Sequence, residues 1–294
     1  MNPAPMERLG FELHEFTRMG WTSDQASEVW SPRIRRIAAA WKKIEILAVV
    51  QEARSCALAL VNEEDLVRRS SEWLSLGLVG CPLTMSSAPQ GSPPNAQASI
   101  AGRPLRHRVA VGRPSEIQSF KSAFDQSDHR TIGQLLGYPT CCCASFERVW
   151  KDWRLTDSTW PMALATEGVE HGERSLTVAP FPASNILWRW LGVRIVPHLP
   201  CCFRCTETER LGSTLLQIGK AAGFNAEMGW LAEILRWPAE WSALHGIAEV
   251  KTPVLRVSAR TDATSVKYVV RLKGTLYPTE GARGVRFPYS GVLS

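Results

Sequence analysis

The chain has 294 residues, 45% hydrophobic and 21% charged, with 34 Lys and Arg against 28 Asp and Glu and a formal net charge of +6. That is enough chain for one large or two small globular domains with a sizeable core, and the composition matches globular averages. The charge is mild and spread out, which argues against a nucleic-acid arm. No stretch approaches the roughly 18 apolar residues of a membrane span. The N-terminus shows neither a basic n-region nor a continuous apolar h-region, so a cytoplasmic chain with thiols facing a reducing compartment is expected.

In chain order, apolar positions Ile37, Trp41, Ile44 and Ala48 recur at helical spacing, which predicts one long helix over 33–61. Asn62 before an acidic run reads as a helix cap, and Gly77 as the stop. The segment "LVGCPLTM" reads as a short strand. Residues 86–105 are rich in Ser, Pro, Gly and Ala and read as a flexible loop. A strand over "RHRVAVG" follows, then a helix capped by Ser115 and a short helix ended by Gly137.

The segment "GYPTCCCASF" comes next. Tyr138–Pro139 is extended, since a residue before proline avoids the α region, so the thiols enter a helix that continues through "ASFERVWKDW". Further on, "LTVAP" reads as a strand, "NILWRWLG" as a short helix and "VRIVPHLP" as a strand delivering the second thiol segment, "HLPCCFRC". Two helices then follow, one with Leu211, Leu215, Ile218 and Ala222 on one face and one capped by Asn225. The last part, "IAEVKTPVLRVSAR" and "SVKYVVRLKGTLY", alternates apolar and polar residues and reads as a strand pair.

Six of the eight cysteines sit in the two short segments. In a reducing compartment such clusters serve metals or redox chemistry more often than disulfides. Each segment has a proline just before the thiols and a helix just after them, and a helix start favours thiolate, the form that binds metal. Cys201 and Cys205 are one helical turn apart and would share a face. Adjacent Cys141 and Cys142 are expected to diverge, which suits an iron-sulfur cluster better than one small zinc ion. The ligand set expected is Cys141, Cys142, Cys201 and Cys205, for a 4Fe-4S cluster or, alternatively, zinc. Cys56 and Cys81 read as buried apolar residues. A redox dithiol or a cysteine nucleophile with a histidine partner is the competing reading for the clusters.

The two segments resemble the paired signatures of an uncharacterised prokaryotic Cys-rich family, Gly-Tyr-Pro-x-Cys-Cys followed by His-x-Pro-Cys-x-x-x-Cys. The resemblance covers residues 130–215 and implies roles for Cys141, Cys142, His198, Cys201 and Cys205. It leaves Cys143 and Cys202 outside the pattern and implies no activity.

Other residues able to carry chemistry lie in "WPAEWSALHGIAEVKTP". There Glu240, His245, Glu249 and Lys251, with Trp237 and Trp241 alongside, could form a substrate shelf with a general acid or base, His245 reading as a helix end before Gly246. A capping histidine and a solvated strand face explain the same residues. His198 reads either as a further ligand or proton donor or as a histidine packed at a strand end. Arg260 and Asp262 read as a hairpin turn. No phosphate loop, dinucleotide fingerprint, zinc-protease helix or nucleophile elbow is present in the sequence.

The expected architecture is α+β: a helical N-terminal region (1–85), the loop (86–105) and a cysteine-rich metal-binding domain (106–294) whose mixed sheet carries two cysteine-bearing turns. The expected function is an iron-sulfur enzyme, a lyase, sulfur transferase or oxidoreductase. Its cluster keeps an open coordination position for a small-molecule substrate, with His198, His245 and Glu249 as catalytic groups. The alternative is a zinc-stabilised binding or accessory module. Oligomeric state is left open.

Overall fold

The computed structural model describes residues 6–83 and 106–278. The loop expected at 86–105 lies outside the described residues. The fold is α+β, with eight α-helices and two sheets among the described residues. The chain forms two compact units, Met1–Ala40 with Trp153–Ser294, and Trp41–Asp152.

The first unit holds a seven-stranded mixed sheet in the order β1-β9-β8-β7-β10-β6-β5. Its strands are β1 (Thr17–Trp21), β5 (Glu170–His171), β6 (Ser175–Val178), β7 (Ala239–Leu244), β8 (Ile247–Lys251), β9 (Leu255–Arg260) and β10 (Tyr268–Leu272). All neighbours are antiparallel except β10 and β6. Alternation sets the faces: Leu255, Val257 and Ala259 of β9 are buried while Arg256 is exposed, and Val250 and Trp241 continue the buried row. Helices α6 (Thr159–Leu164), α7 (Thr206–Ala221) and α8 (Asn225–Ile234) belong to the same unit. A buried carboxylate hub sits beside this sheet. Asp157 accepts from Thr159 N (2.9 Å) and Oγ1 (2.6 Å), Arg189 Nη2 (2.8 Å), Trp241 Nε1 (3.0 Å) and Thr261 Oγ1 (3.2 Å). Asp262 accepts the backbone N–H groups of Thr156 and Asp157, and burial raises its carboxyl above the usual aspartate range.

The second unit holds a three-stranded antiparallel sheet, β2 (Cys56–Asn62), β4 (Arg106–Gly112) and β3 (Val79–Pro82), with β4 central. Val49, Ala57, Val61, Trp73 and Val109 pack on one face, and Cys56, Ala110, Ile117, Phe120 and Leu136 on the other. Its helices are α2 (Leu66–Ser75), α3 (Pro114–Asp125), α4 (His129–Leu135) and α5 (Thr140–Phe146), and α5 runs on into one π-helical stretch, Glu147–Asp152. Helix α1 (Asp24–Val50) supplies Trp30 and Ile37 to the first unit and Trp41, Ile44 and Ala48 to the second.

The structure departs from the sequence expectations at several places. The helix predicted over 33–61 starts earlier and stops at Val50; Glu52 turns the chain at φ +59° and Cys56 begins a strand. A short Ala/Leu run fits either element, and seven register pairs with β4 decide for the strand. The N-terminal region therefore contains strands as well as helices. No strand forms over 193–200, where Pro197 and Pro200 lack donors, and residues Arg189–Leu191 make only a 3₁₀ turn. The segment expected as the first C-terminal strand makes two, β8 and β9, which pair with each other, while β10 pairs with β7 and β6 instead. Neither Asn62 nor Ser115 makes a side-chain cap, and the cap of α8 is Phe224 rather than Asn225.

Candidate metal centre

Gly137 (φ +71°) stops α4, and extended Pro139 (φ −57°, ψ 138°) caps the start of α5. The N–H groups of Cys142 and Cys143 both return to the Pro139 carbonyl, at 2.9 and 3.0 Å. The three cysteines therefore occupy the first turn of a helix, not a turn of the sheet. Successive residues on a helix rotate by about 100°, so the triplet fans out. Cys141 is exposed and Cys142 buried, yet their sulfurs stand 3.8 Å apart. The expected divergence of this adjacent pair is thus small enough for both to face one ion. Cys143 turns away from that pair: its sulfur lies 3.8 Å from the Tyr138 carbonyl and against Gly133, where a Cβ would meet it at 2.5 Å. Burial raises its thiol above the ordinary range.

The second segment is an irregular loop ending at α7, whose N-cap is Cys205. Phe203, fully buried, fastens it: its N–H donates to Thr166 Oγ1 (2.9 Å) and its carbonyl accepts from Phe181 N (2.8 Å). Cys201 and Cys202 are half-buried and Cys205 is buried. The Cys202 thiol is lowered to about 7, first by a hydrogen bond from the Cys201 side chain and also by the Arg204 backbone N–H.

Cys141, Cys142, Cys201 and Cys205 come together, with all four sulfurs within 4.8 Å of one another. Four thiolates at such spacing repel strongly, and a soft cation among them converts that repulsion into coordination. The four cysteines could hold a metal ion.

The other expected site residues stand apart from this group. His198 is buried, and its Nε2 lies 2.9 Å from Thr208 Oγ1 on the first turns of α7. His245 is exposed, and the structure corrects its expected place at a helix end. It is the first residue of the two-residue turn between β7 and β8, with φ +49° followed by Gly246 at +80°. Both central residues with positive φ make a type I′ hairpin turn. Glu249 is half-buried on β8 and pairs with Lys251 at 3.5 Å. Thr208 carries no signal in the sequence except its place three residues after Cys205, and Asp262 joins the carboxylate hub instead of forming a hairpin turn. No helix among the described residues is long and apolar enough to cross a membrane. Compared with protein-family models, curated proteins and solved structures, the chain matches none of them.

Proposed function

We propose that the four cysteines hold one tetrahedrally coordinated ion, zinc, and that the protein is a metal-stabilised binding or accessory module. The spacing of the sulfurs carries this reading. With Zn–S bonds of about 2.3 Å, a tetrahedron has a sulfur–sulfur edge of about 3.8 Å, which is the Cys141–Cys142 separation. The whole group spans no more than 4.8 Å. A four-iron cube holds each thiolate on a separate iron, so its sulfurs stand farther apart than the edge of one tetrahedron. Four thiolates also close the coordination sphere, which is the pattern of structural rather than catalytic zinc. The metal joins two segments distant in sequence, the first turn of α5 and the loop entering α7, and so fixes a local fold that the irregular loop cannot hold by regular hydrogen bonding. A four-thiolate site also suits a cytoplasmic setting, where the thiols stay reduced. The resemblance to the uncharacterised prokaryotic Cys-rich family covers these four positions together with His198.

The test is metal analysis of protein purified without oxygen. One zinc per chain and no visible absorption is the expected result. A brown protein with iron and acid-labile sulfide would replace this reading by the iron-sulfur enzyme, with Cys141, Cys142, Cys201 and Cys205 as cluster ligands and a small molecule as substrate.

A further inference from the structure

We infer that His198 is a positioning residue of the metal centre: through the Thr208 hydroxyl it latches the loop carrying Cys201 to the helix that begins at Cys205. The inference rests on the four-cysteine metal reading and adds to it a residue that touches no metal.

The loop from His198 to Cys205 has no regular secondary structure, so its shape depends on side-chain and backbone anchors. The C-terminal anchor is Phe203, held by Thr166 and Phe181. The N-terminal anchor is His198, whose Nε2 meets Thr208 Oγ1 at 2.9 Å. Cys201 and Cys202 lie between the two. Thr208 is 0% exposed and His198 6%. A hydrogen bond sealed from water is strong, and removing it loosens the tie between loop and helix. Thr208 stands on α7 three residues after Cys205, so it moves rigidly with that ligand. The latch therefore ties the ligand that caps the helix to the ligand on the loop. Pro200, directly before Cys201, limits how far the chain can relax between latch and ligand.

His198 as a fifth ligand is the competing role. The sulfurs of four cysteines already lie within 4.8 Å of one another, and the group contains no histidine nitrogen. The ring nitrogen Nε2 is directed to the threonine hydroxyl. Groups that support metal ligands in this way change affinity by about 10–100-fold when removed.

The experiment uses the full chain loaded with cobalt(II), whose visible spectrum reports ligand type and tetrahedral geometry. Metal release to an excess of chelator is timed for wild type, His198→Ala, His198→Gln, Thr208→Val and the double variant His198→Ala/Thr208→Val. The wild type should show a four-sulfur tetrahedral spectrum. His198→Ala and Thr208→Val should each release metal about ten-fold faster, with the double variant no faster than the worse single one. His198→Gln, which can place a nitrogen near the same hydroxyl, should recover most of the loss. Circular dichroism should stay unchanged throughout, which separates faster release from unfolding. A spectrum with three sulfurs and one nitrogen that reverts on His198→Ala would make His198 a ligand and overturn the inference. One tightly held ion with equal release rates in all variants would overturn it alone and leave the metal reading standing. Wild-type protein that takes up no cobalt would overturn both.

Discussion

Two clusters of acidic side chains lie within this chain, and they solve the same electrostatic problem differently. Around Asp157 the protein supplies its own compensation: a guanidinium, an indole N–H, two hydroxyls and a backbone N–H converge on one carboxylate. Around Cys142 and Cys205 the groups that converge are further thiols. A carboxylate that accepts five hydrogen bonds is complete as it stands, and its role is to fasten Arg189, Trp241 and Thr261 into one core. Four cysteine sulfurs brought within 4.8 Å of one another are not completed by more thiols. Their arrangement makes sense with a cation at the centre. The comparison teaches that burial and clustering of acids alone do not mark a functional site; what compensates the charge does.

The contrast breaks most visibly at the four cysteines proposed to hold the metal. Cys142→Ser and Cys205→Ser are expected to drop bound metal from one ion per chain to none, removing an apparent binding free energy on the order of 10 kcal/mol. Most of the fold should survive, because both sheets have cores of their own. Metal content together with far-ultraviolet circular dichroism would check this; metal retained in either variant refutes the ligand set.

At the carboxylate hub the expected result is the reverse. Asp157→Ala leaves half-buried Arg189 without its ion-pair partner and the buried Trp241 indole N–H without its acceptor, and should cost about 3–5 kcal/mol of global stability. Denaturant unfolding reads this cost directly. Metal stoichiometry in the surviving folded fraction should stay at one, since the hub shares no residue with the cysteine group. A loss of metal in step with stability would mean that the two clusters are coupled.

Much of this was readable in the sequence. Pairs such as Pro139 with Cys141–Cys142 and Pro200 with Cys201 mark chain segments shaped for a site, and a strand with clean alternation, such as β9, declares its faces. The α+β class followed from those patterns. What was not readable depended on distant partners. Cys56–Asn62 is a strand only because Arg106–Gly112 pairs with it. Asp157 looks like a loop polar residue until Trp241 and Arg189 arrive from elsewhere in the chain, and Asp262 until the backbone N–H groups of Thr156 and Asp157 do. Adjacent cysteines fan apart along the backbone of a helix's first turn, and only their χ angles bring the two sulfurs to 3.8 Å.

The surplus thiols sharpen the comparison at smaller amplitude. Cys143→Ser and Cys202→Ser should each keep the metal. Gly133→Ala, by contrast, drives a methyl group onto the Cys143 sulfur and should cost about 1–3 kcal/mol as an overpacking effect. Thermal unfolding of the three variants checks the ranking. If Gly133→Ala is silent, Cys143 is not packed as described, and its exclusion from the ligand set loses its support.

The smallest effect concerns His245, where a turn and an acid/base role predict different outcomes. The side chain is exposed and the backbone does the structural work: His245 N donates to Thr264 O at 3.0 Å, and Gly246 O accepts from Thr261 N at 2.9 Å. Histidine tolerates positive φ better than most residues, and asparagine better still, so Asn-Gly is the preferred pair for a type I′ turn. His245→Asn should therefore leave stability unchanged or raise it, within about 0.5 kcal/mol. His245→Val places a β-branched residue in the left-handed region and should cost about 1–2 kcal/mol. Neither change should alter metal release, because His245 lies outside the cysteine group. Unfolding curves and chelator kinetics on the two variants decide the matter. Stability that follows backbone preference identifies His245 as a turn residue. Faster metal release in His245→Asn with unchanged stability would instead restore it to the functional centre and bring back the open, reactive site.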